Sequence, residues 1–171
     1  MNNKQKQITR LVHGALIAAV YAAATYALSA ISYGPIQFRI SEAMTVFSVL
    51  TPAAIPGLTV GCILGNLTSP YGIWDIVFGS LATLLAAVSA RMLRKITFKG
   101  VPILSVLMPV IFNALIVGAE ITFFFPSDNA SVTAFAISAL QIGAGELAVC
   151  VLGGIPLFLA IRKTGIFKNE K

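Results

Sequence analysis

Long apolar stretches between three basic clusters constrain the fold of this 171-residue chain more than any other feature of its sequence. Every lysine and arginine except Arg39 falls in one of these clusters, at residues 4–10, 91–99 and 162–171. Charged residues make up only 11% of the chain, whereas soluble domains carry about 25%. Because apolar stretches of about 20 residues can span a bilayer, the sequence predicts an all-α integral membrane protein with a single membrane domain over residues 1–171.

The basic clusters also predict the topology, because such clusters stay on the cytoplasmic side of a membrane. Residues 41–68 are interrupted by Pro52 and Pro56 and are too short for two full crossings, so they predict two shortened helices or a re-entrant dip. We therefore predict six transmembrane helices, of which the second and third are short, with both termini in the cytoplasm. The predicted segments are a basic N-terminus at 1–10, spans at 11–32, 41–51, 54–68, 73–95, 101–125 and 132–161, outer connections at 33–40 and 126–129, and a cytoplasmic tail at 162–171.

Several classes of function lack their sequence signatures in this chain. It has no G-x-x-x-x-G-K-[ST] phosphate loop, no G-x-S-x-G elbow and no H-E-x-x-H motif. A single histidine without a nearby His/Cys cluster argues against a metal site, and Cys62 and Cys150 suit small hydrophobic roles in apolar stretches. The net charge of +6 is explained by topology and does not indicate a nucleic-acid partner. We expect neither an enzyme nor a bound cofactor.

Polar side chains gather in the half of the predicted bundle that faces away from the basic clusters. The set comprises Glu42, Asn66, Asp75, Asn113, Glu120, Asp128, Gln141 and Glu146. This placement predicts a cup that opens to the outside rather than a pore through the membrane. Asn113 and Glu120 share one helix face because they are seven residues apart, whereas Gln141 and Glu146, five apart, do not.

Each of these residues has a structural interpretation beside the binding one. Glu42 and Asp75 suit the first turns of helices as well as ligand contacts, and the two asparagines could simply hydrogen-bond helices together. Glu120 and Glu146 are harder to explain as structural residues, because an ionised carboxylate at such depth is costly unless it is paired. Arg39 could pair with only one of them.

Small residues recur on the first predicted helix. Ala15, Ala19 and Ala23 lie at every fourth position, and Ala18 and Ala22 lie beside them. Small residues at this spacing let another helix approach closely. The periodicity alone is compatible with packing inside this domain and with a docking face for another membrane protein.

The stretch PIQFRISEA at residues 35–43, followed by a short apolar helix ending at Pro52, resembles the QueT family of substrate-binding (S) components of energy-coupling factor (ECF) transporters. The resemblance covers essentially the whole chain, including its size, six-helix layout, small-residue first helix and the sequence Gly-Asn-Leu at 65–67. It implies the ECF S-component fold and a place in the bacterial cell membrane. It also implies capture of a small molecule from outside and docking on a coupling membrane subunit attached to two cytoplasmic ATPases.

The resemblance further implies a ligand and a site. The ligand would be a queuosine precursor, either a 7-deazaguanine such as 7-aminomethyl-7-deazaguanine (preQ1) or queuine. Ala15, Ala19 and Ala23 would face the coupling subunit, and the loop around Gln37 and Arg39 would cover the site. The implied substrate-binding residues are Gln37, Arg39, Glu42, Asn66, Asp75, Asn113, Glu120, Gln141 and Glu146, with Tyr33, Phe38, Tyr71 and Trp74 as possible aromatic faces.

The excess of acidic side chains suits such a ligand, because its guanine edge offers two donors and its aminomethyl arm is a cation. Glu120, supported by Asn113, is the first choice for the base edge, and Glu146 is the second. Three alternatives stay open: an S component for another vitamin such as biotin or thiamine, a structural membrane subunit without a ligand, and a membrane enzyme that lacks the familiar motifs.

Overall fold

The computed structural model describes residues 2–34, 36–125 and 130–167. Within these ranges the regular secondary structure is helical, apart from an isolated bridge between Phe98 and Val101, and turns or extended residues connect the helices. The α-helices are α1 (Asn3–Ala27), α2 (Ser29–Ser32), α3 (Phe47–Leu50), α4 (Ala54–Gly65), α5 (Ile73–Met92), α6 (Ile103–Phe123), α7 (Val132–Val149) and α8 (Ile155–Thr164). A 3-10 helix (Ile40–Val46) runs into α3, a 3-10 turn (Asn66–Thr68) follows α4, and a π-helical turn (Cys150–Gly154) joins α7 to α8.

Among the residues that the structure describes, four helical segments are long and apolar enough to cross a membrane, as expected of a multi-pass membrane protein. They are Asn3–Ala27, Ile73–Met92, Ile103–Phe123 and the continuous stretch Val132–Thr164. Two shorter apolar segments are Ile40–Leu50 and Ala54–Thr68. The short pair falls where the sequence places its two short helices. The count of six crossings and the cytoplasmic position of both termini stay predictions.

Prolines account for the break between α3 and α4. Thr51 has extended backbone angles, φ −138° and ψ 140°, as expected for a residue that precedes a proline. Pro56 lies in the first turn of α4, where the missing N–H of proline costs no helical hydrogen bond. The prolines therefore divide the apolar segment into two helices without preventing either one.

Several helix ends differ from the predicted spans. Helix α1 begins at Asn3, inside the predicted basic N-terminus, where the backbone N–H of Asn2 donates to Oε1 of Gln5 at 3.0 Å. Polar and basic residues can extend an apolar helix into water in this way. Helix α5 ends at Met92, and residues 93–95 form a turn. Pro35, the predicted outer turn at 126–129 and the tail from 168 onward lie outside the described residues.

Helices α1 and α4 pack with their backbones in contact. A side-chain carbon added at Gly61 would lie 2.9 Å from the carbonyl oxygen of Ala18, so only glycine fits there without a shift. Ala18 and Ala22 are buried, whereas the other alanines of the small-residue pattern are exposed: Ala15, Ala19 and Ala23. The pattern thus divides into an inner packing face and an open outer face.

The basic clusters meet at one end of the bundle, called here the basic end. Nη1 of Arg162 donates to the carbonyl oxygen of Gly100 at 2.8 Å, and the rings of His13 and Phe167 lie 5.0 Å apart. The first contact joins the end of α8 to the α5–α6 connection, and the second joins the N-terminal half of α1 to the segment after α8. The side of the membrane that the basic end faces stays a prediction.

Candidate functional site

The predicted site residues converge in the interior of the bundle, with one exception. The members that are at most 1% exposed are Gln37, Arg39, Glu42, Asn66, Asp75, Asn113, Glu120 and Glu146. Gln141 is exposed on α7 because its position is rotated away from that of Glu146. The sequence predicts an open cup, but the burial of these eight side chains shows that the interior is closed in this structure.

Glu42 joins three helical elements through its carboxylate. Oε1 accepts hydrogen bonds from the hydroxyls of Tyr21 on α1, at 2.5 Å, and Thr83 on α5, at 2.7 Å. Oε2 accepts from the hydroxyl of Thr45 at 2.9 Å. Sequence reasoning missed these three donors, although Tyr21 and Thr83 are hydroxyl residues in apolar helices, and such residues commonly hydrogen-bond between helices.

Arg39 pairs with Asp75 rather than with either buried glutamate of α6 and α7. Its Nη2 lies 3.4 Å from Oδ1 of Asp75, and this is the only ion pair among the residues that the structure describes. The guanidinium also lies 5.7 Å from the ring centroid of Tyr33. The sequence suggested Glu120 or Glu146 as the partner, but the segment that carries Arg39 packs near the start of α5 instead.

Asn66 and Tyr33 hold the end of α4 next to this ion pair. Nδ2 of Asn66 donates to the backbone carbonyl oxygen of Asp75 at 2.8 Å. The Tyr33 hydroxyl donates to the carbonyl oxygen of Gly65 at 2.8 Å. Burial raises the pKa of Tyr33 to about 12, so this hydroxyl keeps its proton and its role as a donor at neutral pH.

A second group of buried polar atoms has no hydrogen-bond partner within the described residues. It comprises Nε2 of Gln37, Nε of Arg39, Oδ2 of Asp75, Oγ of Ser80, Nδ2 and Oδ1 of Asn113, both carboxylate oxygens of Glu120, and Oε1 of Glu146. Buried polar groups are nearly always paired, and each unpaired one costs about 1–3 kcal/mol. The concentration of such atoms on α6 and α7 marks this region as the candidate ligand site.

The segment before the 3-10 helix covers these unpaired atoms. Its backbone lies directly against α7 because residue 145 is glycine, and an added side-chain carbon there would lie 2.9 Å from the carbonyl carbon of Gln37. The backbone N–H of Phe38 donates to the carbonyl oxygen of Ile31 at 3.0 Å, which ties the segment to α2. Gln37 and Arg39 point inward while Phe38 is exposed. The segment at residues 36–39 therefore forms part of the cover over the buried polar interior.

Of the four aromatic side chains expected to face a flat ligand, Trp74 and Phe38 are exposed, and Tyr33 and Tyr71 are partly exposed. Trp74 is 42% exposed and packs against the rings of Phe78 and Phe124, at centroid distances of 6.1 and 4.8 Å. Phe38 is 39% exposed. Tyr33 differs from them, because its ring lies against the buried guanidinium of Arg39.

Comparison with known families decides the class of the protein. A family model described as QueT transporter matches residues 11–163. The chain belongs to the QueT transporter family. The match runs from α1 into α8 and includes every predicted site and docking residue. It identifies a transporter rather than an enzyme, and no cluster of His, Cys, Asp and Glu in the described ranges is arranged to hold a metal ion.

One curated QueT relative adds detail. It is a protein of Lactococcus lactis subsp. cremoris (strain MG1363) named queuosine precursor transporter QueT, and it is 38% identical to this chain over 84 residues. The aligned stretch covers 48% of this chain and 49% of the relative, so the chain matches about half of that protein's length. No solved structure was found that matches the chain.

Proposed function

We propose that this chain is the substrate-binding membrane component of an ATP-driven, ECF-type importer, and that it captures a queuosine precursor in the buried polar interior. Membership of the QueT transporter family supports transport, and the name of the Lactococcus relative supports the class of ligand. The proposal includes six crossings of the bacterial cell membrane with the basic end in the cytoplasm. The covering segment at residues 36–39 then lies toward the outer side.

The unpaired carboxylate and amide atoms of α6 and α7 carry this proposal. A 7-deazaguanine presents an N1–H and an exocyclic amine side by side, and one carboxylate can accept both hydrogen bonds. We assign this base edge to Glu120, with the side chain of Asn113 as a further donor and acceptor. Glu146 is left to accept from the aminomethyl cation of preQ1, and Gln37 supplies a donor from the covering segment.

Glu42, Arg39 and Asp75 each have at least one internal partner and are assigned to the shape of the site. Both oxygens of Glu42 accept hydrogen bonds from hydroxyls, and Arg39 is paired with Asp75. This pairing also bears on specificity. A ligand with a carboxylate, such as biotin, would have to compete with Asp75 for the one buried arginine of the described interior.

Binding measurements on the purified chain test the proposed ligand. We expect preQ1 or queuine to bind with micromolar or tighter affinity by isothermal titration calorimetry, and biotin and thiamine not to compete. Tight binding of biotin or thiamine would instead support an S component for another vitamin. If no 7-deazaguanine bound to correctly folded protein, the proposed function would be wrong.

A pair of neighbouring alanines tests the proposed docking face on α1. Ala19→Leu places a bulky side chain on the exposed face and is expected to abolish uptake in cells while ligand binding by the purified chain persists. Ala18→Leu is the matched control on the buried face, where it should lower the melting temperature because it overpacks the contact with α4. Loss of ligand binding in a folded Ala19→Leu protein would contradict a docking role.

A further inference from the structure

A cavity separate from the polar interior lies at the basic end of the bundle. Its volume is about 740 Å³, and its walls come from the end of α3, the end of α5, the α5–α6 connection and the end of α8. Its cationic lining residues are Arg91, Arg94, Lys95, Arg162 and Lys163, and its described lining contains no acidic side chain. Like charges held this close together repel one another, so the cavity suits an anion.

Three of these cations are held in place by backbone carbonyls. Nη1 of Arg91 donates to the carbonyl oxygen of Ser48 at 3.0 Å, and Nη1 of Arg162 donates to that of Gly100 at 2.8 Å. Arg94 bonds the carbonyl oxygen of Arg91 in the same way. Each of these bonds uses one nitrogen of a guanidinium that has five N–H donors. None of the five cations pairs with a carboxylate among the described residues.

The rest of the cavity lining is largely apolar. Leu50, Phe158, Ile161 and Phe167 line it beside the cations, and the guanidinium of Arg162 lies 5.9 Å from the ring centroid of Phe158. Arg91 lies at the end of an apolar span, which is the depth at which lipid headgroups meet acyl chains. Apolar and cationic surfaces side by side fit an amphiphile with an anionic head better than a free anion.

We propose that this cavity binds an anionic phospholipid, with the phosphate among the five cations and an acyl chain along the apolar wall. The general tendency of basic residues to cluster on one side of a membrane does not account for it. Basic residues could follow that tendency without forming a concave site and without bringing cations from separate helices together. Basic pockets between membrane helices are known to hold anionic headgroups. The site is independent of the proposed transport ligand.

Lipid retention by the purified full chain tests the site. In native mass spectrometry from an equal mixture of phosphatidylglycerol and phosphatidylcholine, we expect selective retention of phosphatidylglycerol. The double variant Lys95→Gln/Lys163→Gln should weaken this retention by about tenfold or more. Both lysines are exposed, so the variant should fold. The control Lys4→Gln/Lys6→Gln removes the same charge from the N-terminal cluster and should retain the lipid like the unaltered chain.

Three results would overturn the proposal. Equal loss of phosphatidylglycerol in the two double variants would show a general charge effect. Unchanged retention in Lys95→Gln/Lys163→Gln would show that the phospholipid does not bind in this cavity. The cations would then suit another partner, such as an acidic protein segment. Inorganic phosphate that raises the melting temperature as much as phosphatidylglycerol would show a site for free anions instead.

Discussion

Replacement of Glu120 with glutamine is expected to weaken preQ1 binding by about 10- to 100-fold, which corresponds to the loss of charge-assisted hydrogen bonds to the base edge. The same change should leave the ligand-free protein as stable as the unaltered chain or more stable. Both oxygens of Glu120 are buried without a partner in the described structure, and glutamine removes the charge while it keeps the size. Calorimetric titration and thermal unfolding in detergent measure the two effects.

Glu42 provides the matched control for this prediction. The substitution Glu42→Gln replaces a carboxylate whose oxygens accept three hydroxyl hydrogen bonds, so it should lower the free energy of unfolding by about 1–3 kcal/mol. The same substitution should therefore destabilise the chain at Glu42 but not at Glu120. Destabilisation of Glu120→Gln by as much as Glu42→Gln, with preQ1 affinity retained, would show that Glu120 is structural.

Asp75→Asn is expected to lower the free energy of unfolding by about 3–5 kcal/mol, because it leaves the guanidinium of Arg39 buried without a counter-charge. The amide is nearly isosteric with the carboxylate, so the change tests charge rather than packing. The backbone carbonyl that accepts from Asn66 is retained. Denaturant unfolding or thermal shift of the purified chain gives the measurement.

A double variant separates the ion pair from other effects at Asp75. Arg39→Met/Asp75→Leu removes both charges and fills the space with apolar atoms, which is often neutral or stabilising for buried pairs. It should recover most of the stability lost in Asp75→Asn. If Asp75→Asn were as stable as the unaltered chain, the pair would not be holding the covering segment to α5.

The helical segments and their breaks could be predicted from local sequence. Hydropathy over about 20 residues and the two prolines place the long spans and the short pair, because both depend on neighbouring residues along the chain. Charge clustering also predicted that distant segments meet at one end of the bundle. Helix ends were less predictable. Helix α1 extends to Asn3 because polar residues can continue a helix beyond the length that is needed to cross a membrane.

The pairing inside the site could not be predicted from the sequence. Arg39 had several acidic candidates, and only the packing of its segment against the start of α5 selects Asp75. Periodicity separated Gln141 from Glu146 but could not say which of the two faces inward. The closed interior depends on contact between Gln37 and Gly145, which are far apart in sequence. Two glycines lie close together in α7, Gly143 and Gly145, and the sequence does not indicate which of them accommodates another segment.

Helix α1 contacts the polar interior through the hydroxyl of Tyr21, in addition to packing against other helices. This tyrosine reaches inward to Glu42, while Ala19 and Ala23 lie on the outer side of the same helix. A helix with its side chains is about 10 Å across, so the polar interior and the exposed alanines are separated by the thickness of one helix. Rotation of α1 about its own axis would strain the hydrogen bond between Tyr21 and Glu42. The same rotation would change the direction in which Ala19 and Ala23 point. Under the proposed function, ligand binding in the interior and docking through the alanines would therefore depend on the same rotation of α1.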